Sequence, residues 1–122
     1  MKLRDKFLLY AGNNYFIYFH AEKAASSEVY EYFEKCDKVT QSSLLFLAKR
    51  MGDEGKIYDK NKFRQEDKEN KIYAFKPKQE RFFCFFFIGK TIIITLADKK
   101  QKQKLDKNEL KKAIEIRKKY IN

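Results

Sequence analysis

The side chains of this 122-residue chain that can do chemistry are mostly cations, and they come late. Lys71, Lys76, Lys78 and Arg81 precede an apolar run, Phe82–Ile88, and Lys99, Lys100, Lys102 and Lys104 follow a second, Thr91–Leu96. Lys and Arg number 28 against 17 Asp and Glu, a formal net charge of +11, and 10 of those 11 charges lie after Asn70. Such an array suits a polyanion, because displacing condensed counterions drives the association. An anionic membrane or an acidic protein partner is the alternative reading of the same charge.

Other chemistry is sparse. Cys36 and Cys84 sit among apolar residues, where a free thiol acts as a small hydrophobe. Without a CxxC or Cys/His cluster no zinc site is expected, and Asp98 and Asp106 are not spaced for metal-ion catalysis. The sole histidine, His20, closes an apolar strand and reads as structural. There is no GxSxG, Walker loop, HExxH or dinucleotide fingerprint, so neither metal nor cofactor is expected.

The elements that must position the cations follow from periodicity. Phe7–Tyr10 and Tyr15–Phe19 are aromatic runs around Ala11-Gly12-Asn13-Asn14, which reads as strand, turn, strand. From Ala25 the period becomes helical, through Val29, Phe33 and Cys36. A second helix follows Asp37 or Thr40, with Leu44, Leu47, Ala48 and Met51 on its apolar face and Gly52 as its stop. Residues 52–70 read as a long polar loop with a short strand near Phe63, and that length suggests mobility or a binding role.

Lys71–Lys76 alternates as a strand, with Ile72, Ala74 and Lys76 on one face. Pro77–Glu80 forms a turn, and Phe82–Ile88 is apolar on both faces, as a central strand is. Continuous burial explains those phenylalanines better than a base-stacking platform, which would alternate them with basic residues. Gly89-Lys90 reads as a type II′ hairpin loop before strand Thr91–Leu96. Asp106 to Glu109 resembles a capping box opening a last helix, whose stripe is Leu110, Ala113, Ile114, Arg117 and Tyr120. Separate runs of helices and strands predict an α+β domain with an antiparallel sheet, two N-terminal helices packed on it and a C-terminal helix.

Hydrophobic residues are 43% of the chain, charged residues 37% and aromatics 16%, with a mean hydropathy of −0.72. That is one foldable domain, residues 1–122, with a heavily charged surface. No secretory leader is visible, Phe82–Ile88 is too short to span a bilayer, and free thiols suit a reducing compartment. A cytoplasmic protein is expected.

The stretch from Lys71 through Phe83, Lys-Ile-Tyr-Ala-Phe-Lys-Pro-Lys-Gln-Glu-Arg-Phe-Phe, resembles the middle strands of RelE/HigB-type toxins, especially the phage-derived Gp49-like branch. The tail is similar too: Lys99-Lys100 after a buried strand, then Glu109-Leu110, Ala113, Arg117 and Tyr120 on a helix. The resemblance covers about residues 15–122 and leaves 1–14 as an extra N-terminal strand and turn. The chain departs from the pattern where Thr95-Leu96-Ala97 replaces a family His-Gly-Phe, where Leu105 replaces a proline, and in a spacing to Glu109 that is one residue longer.

The resemblance implies a RelE-like fold and the toxin of a type II toxin–antitoxin pair. It would act as a metal-independent, ribosome-dependent mRNA endoribonuclease, an mRNA interferase that inhibits translation. Its partners would be mRNA, the ribosome and a cognate antitoxin, often a helix-turn-helix protein; there would be no membrane partner, and a homodimer is possible. The matching positions put Arg81 on the scissile phosphate and Lys76 or Lys78 as base. Lys99 and Lys100 hold the RNA backbone, with Lys71, Lys102 and Lys104 as further contacts. Tyr120 either stacks on a base or completes helix packing, and its place on the apolar stripe favours packing. Arg81 could instead pair with Glu80 or Glu109. Two other functions fit the scaffold: a non-catalytic RNA- or protein-binding module, and a ParE-type gyrase inhibitor. The nuclease reading requires the cations before the central strand and those after the last strand to converge on one concave patch.

Overall fold

In the computed structural model, which describes residues 3–99 and 106–121, a short 3₁₀ turn, Asp5–Phe7, leads into a six-stranded sheet. The strands are β1 (Leu8–Ala11), β2 (Phe16–Phe19), β3 (Phe63–Asp67), β4 (Ile72–Phe75), β5 (Glu80–Phe87) and β6 (Thr91–Lys99). The helices are α1 (Glu28–Lys35), α2 (Lys38–Glu54) and α3 (Lys107–Ile121). Spatial order is β1-β2-β6-β5-β4-β3. The last strand in sequence is therefore inserted between β2 and β5.

The α+β class holds, but the sheet is mixed. β2 runs parallel to β6, whereas every other neighbouring pair is antiparallel. A parallel pair needs a long crossover, and the chain from α1 to β5 supplies it. β5 and β6 are the inner strands. Alternation sends Phe82 and Cys84 of β5, with Ile92 and Ile94 of β6, to the face covered by Val29 of α1 and by Leu44, Leu47 and Met51 of α2. Phe83, Phe85 and Ile93 go to the other face, under Ala113 and Tyr120 of α3. A strand covered on both sides must read as continuously apolar, which accounts for Phe82–Phe87.

The helix starts are set by side-chain caps. Ser27 accepts from Tyr30 N–H (3.2 Å), Asp37 from Thr40 N–H (2.7 Å) and Asp106 from Asn108 N–H (2.9 Å). α1 thus begins at Glu28, three residues after the expected onset at Ala25. α1 and α2 meet almost without a loop. The Gln41 side-chain amide holds the junction by donating to the carbonyls of Phe33 (3.0 Å), Glu34 (3.1 Å) and Cys36 (3.1 Å).

Gly52 does not stop α2; Gly55 does, at φ 81°. Gly52 lies inside the helix because the β1–β2 turn crosses it closely. A Cβ on Gly12 would fall 2.2 Å from the Gly52 carbonyl carbon, and the Asn14 and Tyr15 N–H groups donate to the Gly52 oxygen (2.7 and 3.0 Å). The expected 52–70 loop therefore shrinks, with α2 continuing to Glu54 and β3 starting at Phe63. The β5–β6 hairpin also differs. Ile88, Gly89 and Lys90 separate the paired Phe87 and Thr91, and both Gly89 (φ 71°) and Lys90 (φ 56°) are left-handed. A type II′ turn needs positive φ at its first central residue only. Among the described residues no helix is long and apolar enough to cross a membrane.

Candidate functional site

The β5–β6 register decides which cations meet. Glu80 pairs with Lys99 and Arg81 with Asp98, so the turn before β5 lies against the end of β6. Alternation then divides that end of the sheet. Glu80 and Lys99 turn to the α1–α2 face, where they line a cleft of about 340 Å³ with Tyr32, Lys35 and Cys36 from the end of α1 and Asp37 and Thr40 from the start of α2. Lys78, exposed in the turn at φ 54°, lies close enough to help hold the Asp37 carboxyl below its usual range, an effect that comes first from the Thr40 N–H and hydroxyl. Lys35 and Lys99 thus line one concavity, and Lys78 stands in the turn beside it.

The cleft floor is acidic and hydrogen-bonded. Tyr32 donates its phenol proton to Glu80. Burial, then that bond and the Glu80 charge, push the Tyr32 phenol well above its ordinary value, so it stays protonated as a donor. Cys36 donates to the Tyr32 carbonyl (3.4 Å). Burial, with Glu80 and Asp37, raises the thiol, and Lys99 only partly opposes them. Cys36 is therefore a thiol, not a nucleophilic thiolate. Ammonium groups can bind a phosphate, and the carboxylate held by the phenol can take up a proton from an adjacent hydroxyl.

Arg81 and Lys76, expected on the scissile phosphate and as a base, are spent elsewhere. Arg81 is buried on the α3 face, where its Nε donates to Asp98 Oδ1 (3.2 Å) and its guanidinium lies over the Phe83 ring (5.6 Å). Its ion-pair partner is thus its cross-strand neighbour rather than Glu80 or Glu109. Lys76 is also buried and pairs with Glu66 of β3 (2.7 Å). Burial alone would raise the Glu66 carboxyl, but Lys76 and then Arg64 outweigh it and hold it low. Neither group is free to meet a substrate in these positions.

Of the expected RNA contacts, Lys71 is exposed but precedes β4. Because Phe75 pairs with Phe82 and Tyr73 with Cys84, Lys71 lies toward the far end of the sheet, four residues or about 13 Å along the strand from Phe75. Lys100, Lys102 and Lys104 fall outside the described residues. Tyr120 is core. It is buried against Phe85 (5.4 Å between centroids) and Phe87 (5.6 Å), and its hydroxyl lies 2.7 Å from His20 Nδ1. Of the cations expected to converge, Lys99 lines the cleft and Lys78 stands in the turn beside it, whereas Arg81 and Lys76 are closed into ion pairs and Lys71 lies toward the other end of the sheet.

A family model, phage derived protein Gp49-like (DUF891), matches residues 31–118. The chain belongs to the phage-derived Gp49-like family. No curated protein matches it. The span matched in this Gp49-like chain begins in α1 and ends in α3, so it contains every residue of the cleft and excludes β1, β2 and His20. The sequence pattern missed Tyr32, Lys35 and Glu80. Tyr32 and Glu80 lie 48 residues apart and no local spacing joins them. Lys35 carried one faint signal, a cation in the last turn of a helix.

Proposed function

We propose that this Gp49-like protein is a toxin of the RelE/HigB type, a metal-independent endoribonuclease that cuts mRNA within the ribosome and is restrained by a cognate antitoxin. The observation that carries the proposal is the Glu80–Lys99 register. It brings Lys99 to one concavity with Lys35, with Lys78 in the turn that leads into Glu80, and Glu80 lines the same cleft as a carboxylate acceptor. In this reading the three ammonium groups hold the RNA phosphates. Glu80, oriented by Tyr32, removes the proton from a 2′-hydroxyl as its oxygen attacks phosphorus. The P–O5′ bond breaks, leaving a 2′,3′-cyclic phosphate, and a lysine ammonium, Lys99 or Lys78, protonates the departing 5′-oxygen.

The burial of Arg81 and Lys76 in ion pairs favours one second reading, an RNA-binding module that grips without cutting. Primer extension on mRNA from cells expressing the protein separates the two. The wild type is expected to leave discrete cut sites. Glu80→Gln, which can still accept from Tyr32, lowers their yield by about 10²-fold or more, while its affinity for an RNA oligonucleotide is retained. A wild type that arrests growth and binds RNA without cut sites sinks the nuclease reading and leaves the binding one.

A further inference from the structure

A second concavity, of about 410 Å³, lies on the opposite side of β6 from β5, between α1 and α3. β2 pairs with β6 only as far as Phe19 opposite Ile94, and its last contact is His20 N–H donating to the Ile94 carbonyl (2.8 Å). The chain then turns away, and the His20 carbonyl is taken by the Ser27 hydroxyl. β6 continues to Lys99; among the described residues no strand pairs with that side of it beyond Ile94, so Leu96 and Ala97 keep β5 on one side and, with Thr95, meet the groove on the other. In a chain of net charge +11, this groove carries four carboxylates, Glu22, Glu28, Glu109 and Glu115, against Lys112 and Lys119. Lys112 is already paired with Glu109 (3.3 Å).

We propose that this groove docks an extended, lysine- or arginine-bearing segment of a second protein, which adds as a strand beside Thr95–Asp98 in the place that β2 vacates. A strand edge without a neighbour offers main-chain hydrogen bonds to any extended chain. The flanking carboxylates select a cationic one and repel a phosphodiester backbone. Thr95, Leu96 and Ala97 on the floor, with Val29 and Ile116 on the walls, give the inward side chains of such a strand an apolar seat. The proposal does not depend on the nuclease reading: the groove shares only Tyr32 with the Lys35–Lys99 cleft, and none of the chemistry assigned there is used.

The test is an amide NMR titration of the full chain with a synthetic peptide, Lys-Val-Arg-Val-Lys-Val, with its glutamate counterpart, and with a short single-stranded RNA. The basic peptide is expected to shift the Leu96–Asp98 and His20–Glu22 amides and to slow hydrogen exchange at Ala97. The paired charge reversal Glu28→Lys with Glu115→Lys weakens that binding at least tenfold, and the shifts that RNA causes at Lys99 persist. Ala97→Pro should abolish peptide binding; where it disturbs the fold, the charge reversal decides alone. No shift at Leu96–Asp98 at millimolar peptide, equal binding of the acidic peptide, or RNA shifts centred on Glu28 and Glu115 would each overturn the proposal.

Discussion

Lys76 and Lys78 are two residues apart, and so are Asp98's partner Arg81 and the turn residue Gln79, yet the two sides of this strand entry have opposite fates. Lys76 and Arg81 point to the α3 face and are closed into ion pairs with Glu66 and Asp98. Lys78 and Lys99 remain exposed near the α1–α2 junction. Residue type does not separate them, for all four are cations bordering apolar strands. Strand parity and cross-strand register separate Arg81 from Lys99, and the left-handed turn at Lys78 separates it from Lys76. A buried cation must find an anion at once, because an unpaired charge in the interior costs several kcal/mol, whereas an exposed lysine can wait for a ligand.

The largest break in that comparison comes from opening a closed pair. Glu66→Ala removes the buried partner of Lys76 and is expected to destabilise the fold by about 3 kcal/mol, read as a lower denaturant midpoint with an unchanged slope. RNA affinity should persist under conditions where the variant stays folded. A near-neutral Glu66→Ala would show that Lys76 is not held as described and would return it to the list of cations open to RNA.

Next in size is Tyr120, which resemblance offered as an RNA contact and geometry assigns to the core. Tyr120→Phe keeps the ring against Phe85 and Phe87 but deletes the hydroxyl beside His20. A loss of about 1–2 kcal/mol is expected, since the His20 nitrogen is left buried without its partner. RNA binding should be unaltered, and a selective loss of affinity in a variant of wild-type stability would contradict the core assignment.

The open side answers to salt rather than to denaturant. Lys99→Ala should change stability by no more than about 0.5 kcal/mol, as an exposed substitution does. It should make the plot of log affinity for single-stranded RNA against log salt shallower by about 0.7, the share of one phosphate contact. Lys71→Ala, at the other end of the sheet, should leave that slope unchanged. Equal effects of the two would mean that charge density alone, and not the cleft, governs binding.

How much of this was legible beforehand follows the same division. The elements were, because each rests on local chemistry: the capping carboxylates of Asp37 and Asp106, the helical period through Val29 and Phe33, and the doubly apolar run of Phe82–Phe87. The alternation of Ile72, Ala74 and Lys76 was legible too, but not its consequence, since nothing near Lys76 announces that Glu66 stands across β3. The parallel β2–β6 pairing was hidden for a similar reason: 72 residues separate Phe19 from Thr91, and a pattern of period two looks the same in either direction. Gly52 misled because close backbone approach to Gly12 and a helix stop both select glycine. The cleft joins α1, α2, β5 and β6, so only tertiary register could assemble it.

The smallest effect expected is one of pH, and it sharpens the contrast between the closed and open regions. His20 is buried with both ring nitrogens engaged, Nδ1 with the Tyr120 hydroxyl (2.7 Å) and Nε2 with the Glu22 carboxylate (3.0 Å). The neutral ring satisfies both, with Nε2–H donating to Glu22 and Nδ1 accepting from Tyr120. Protonation makes Nδ1 a second donor and takes away the acceptor of a buried hydroxyl. Burial lowers the His20 pKa below the usual 6.5; Glu22 works against this, while Lys119 adds to it. The folded protein therefore binds a proton less readily here than the unfolded chain does. That contribution to stability is present above pH 6.5 and is lost as the pH falls below that value. Denaturant midpoints of the wild type should decline between pH 7.5 and pH 5.5, and those of His20→Gln should vary less over the same range. An identical decline in both proteins would assign the acid sensitivity to groups other than His20.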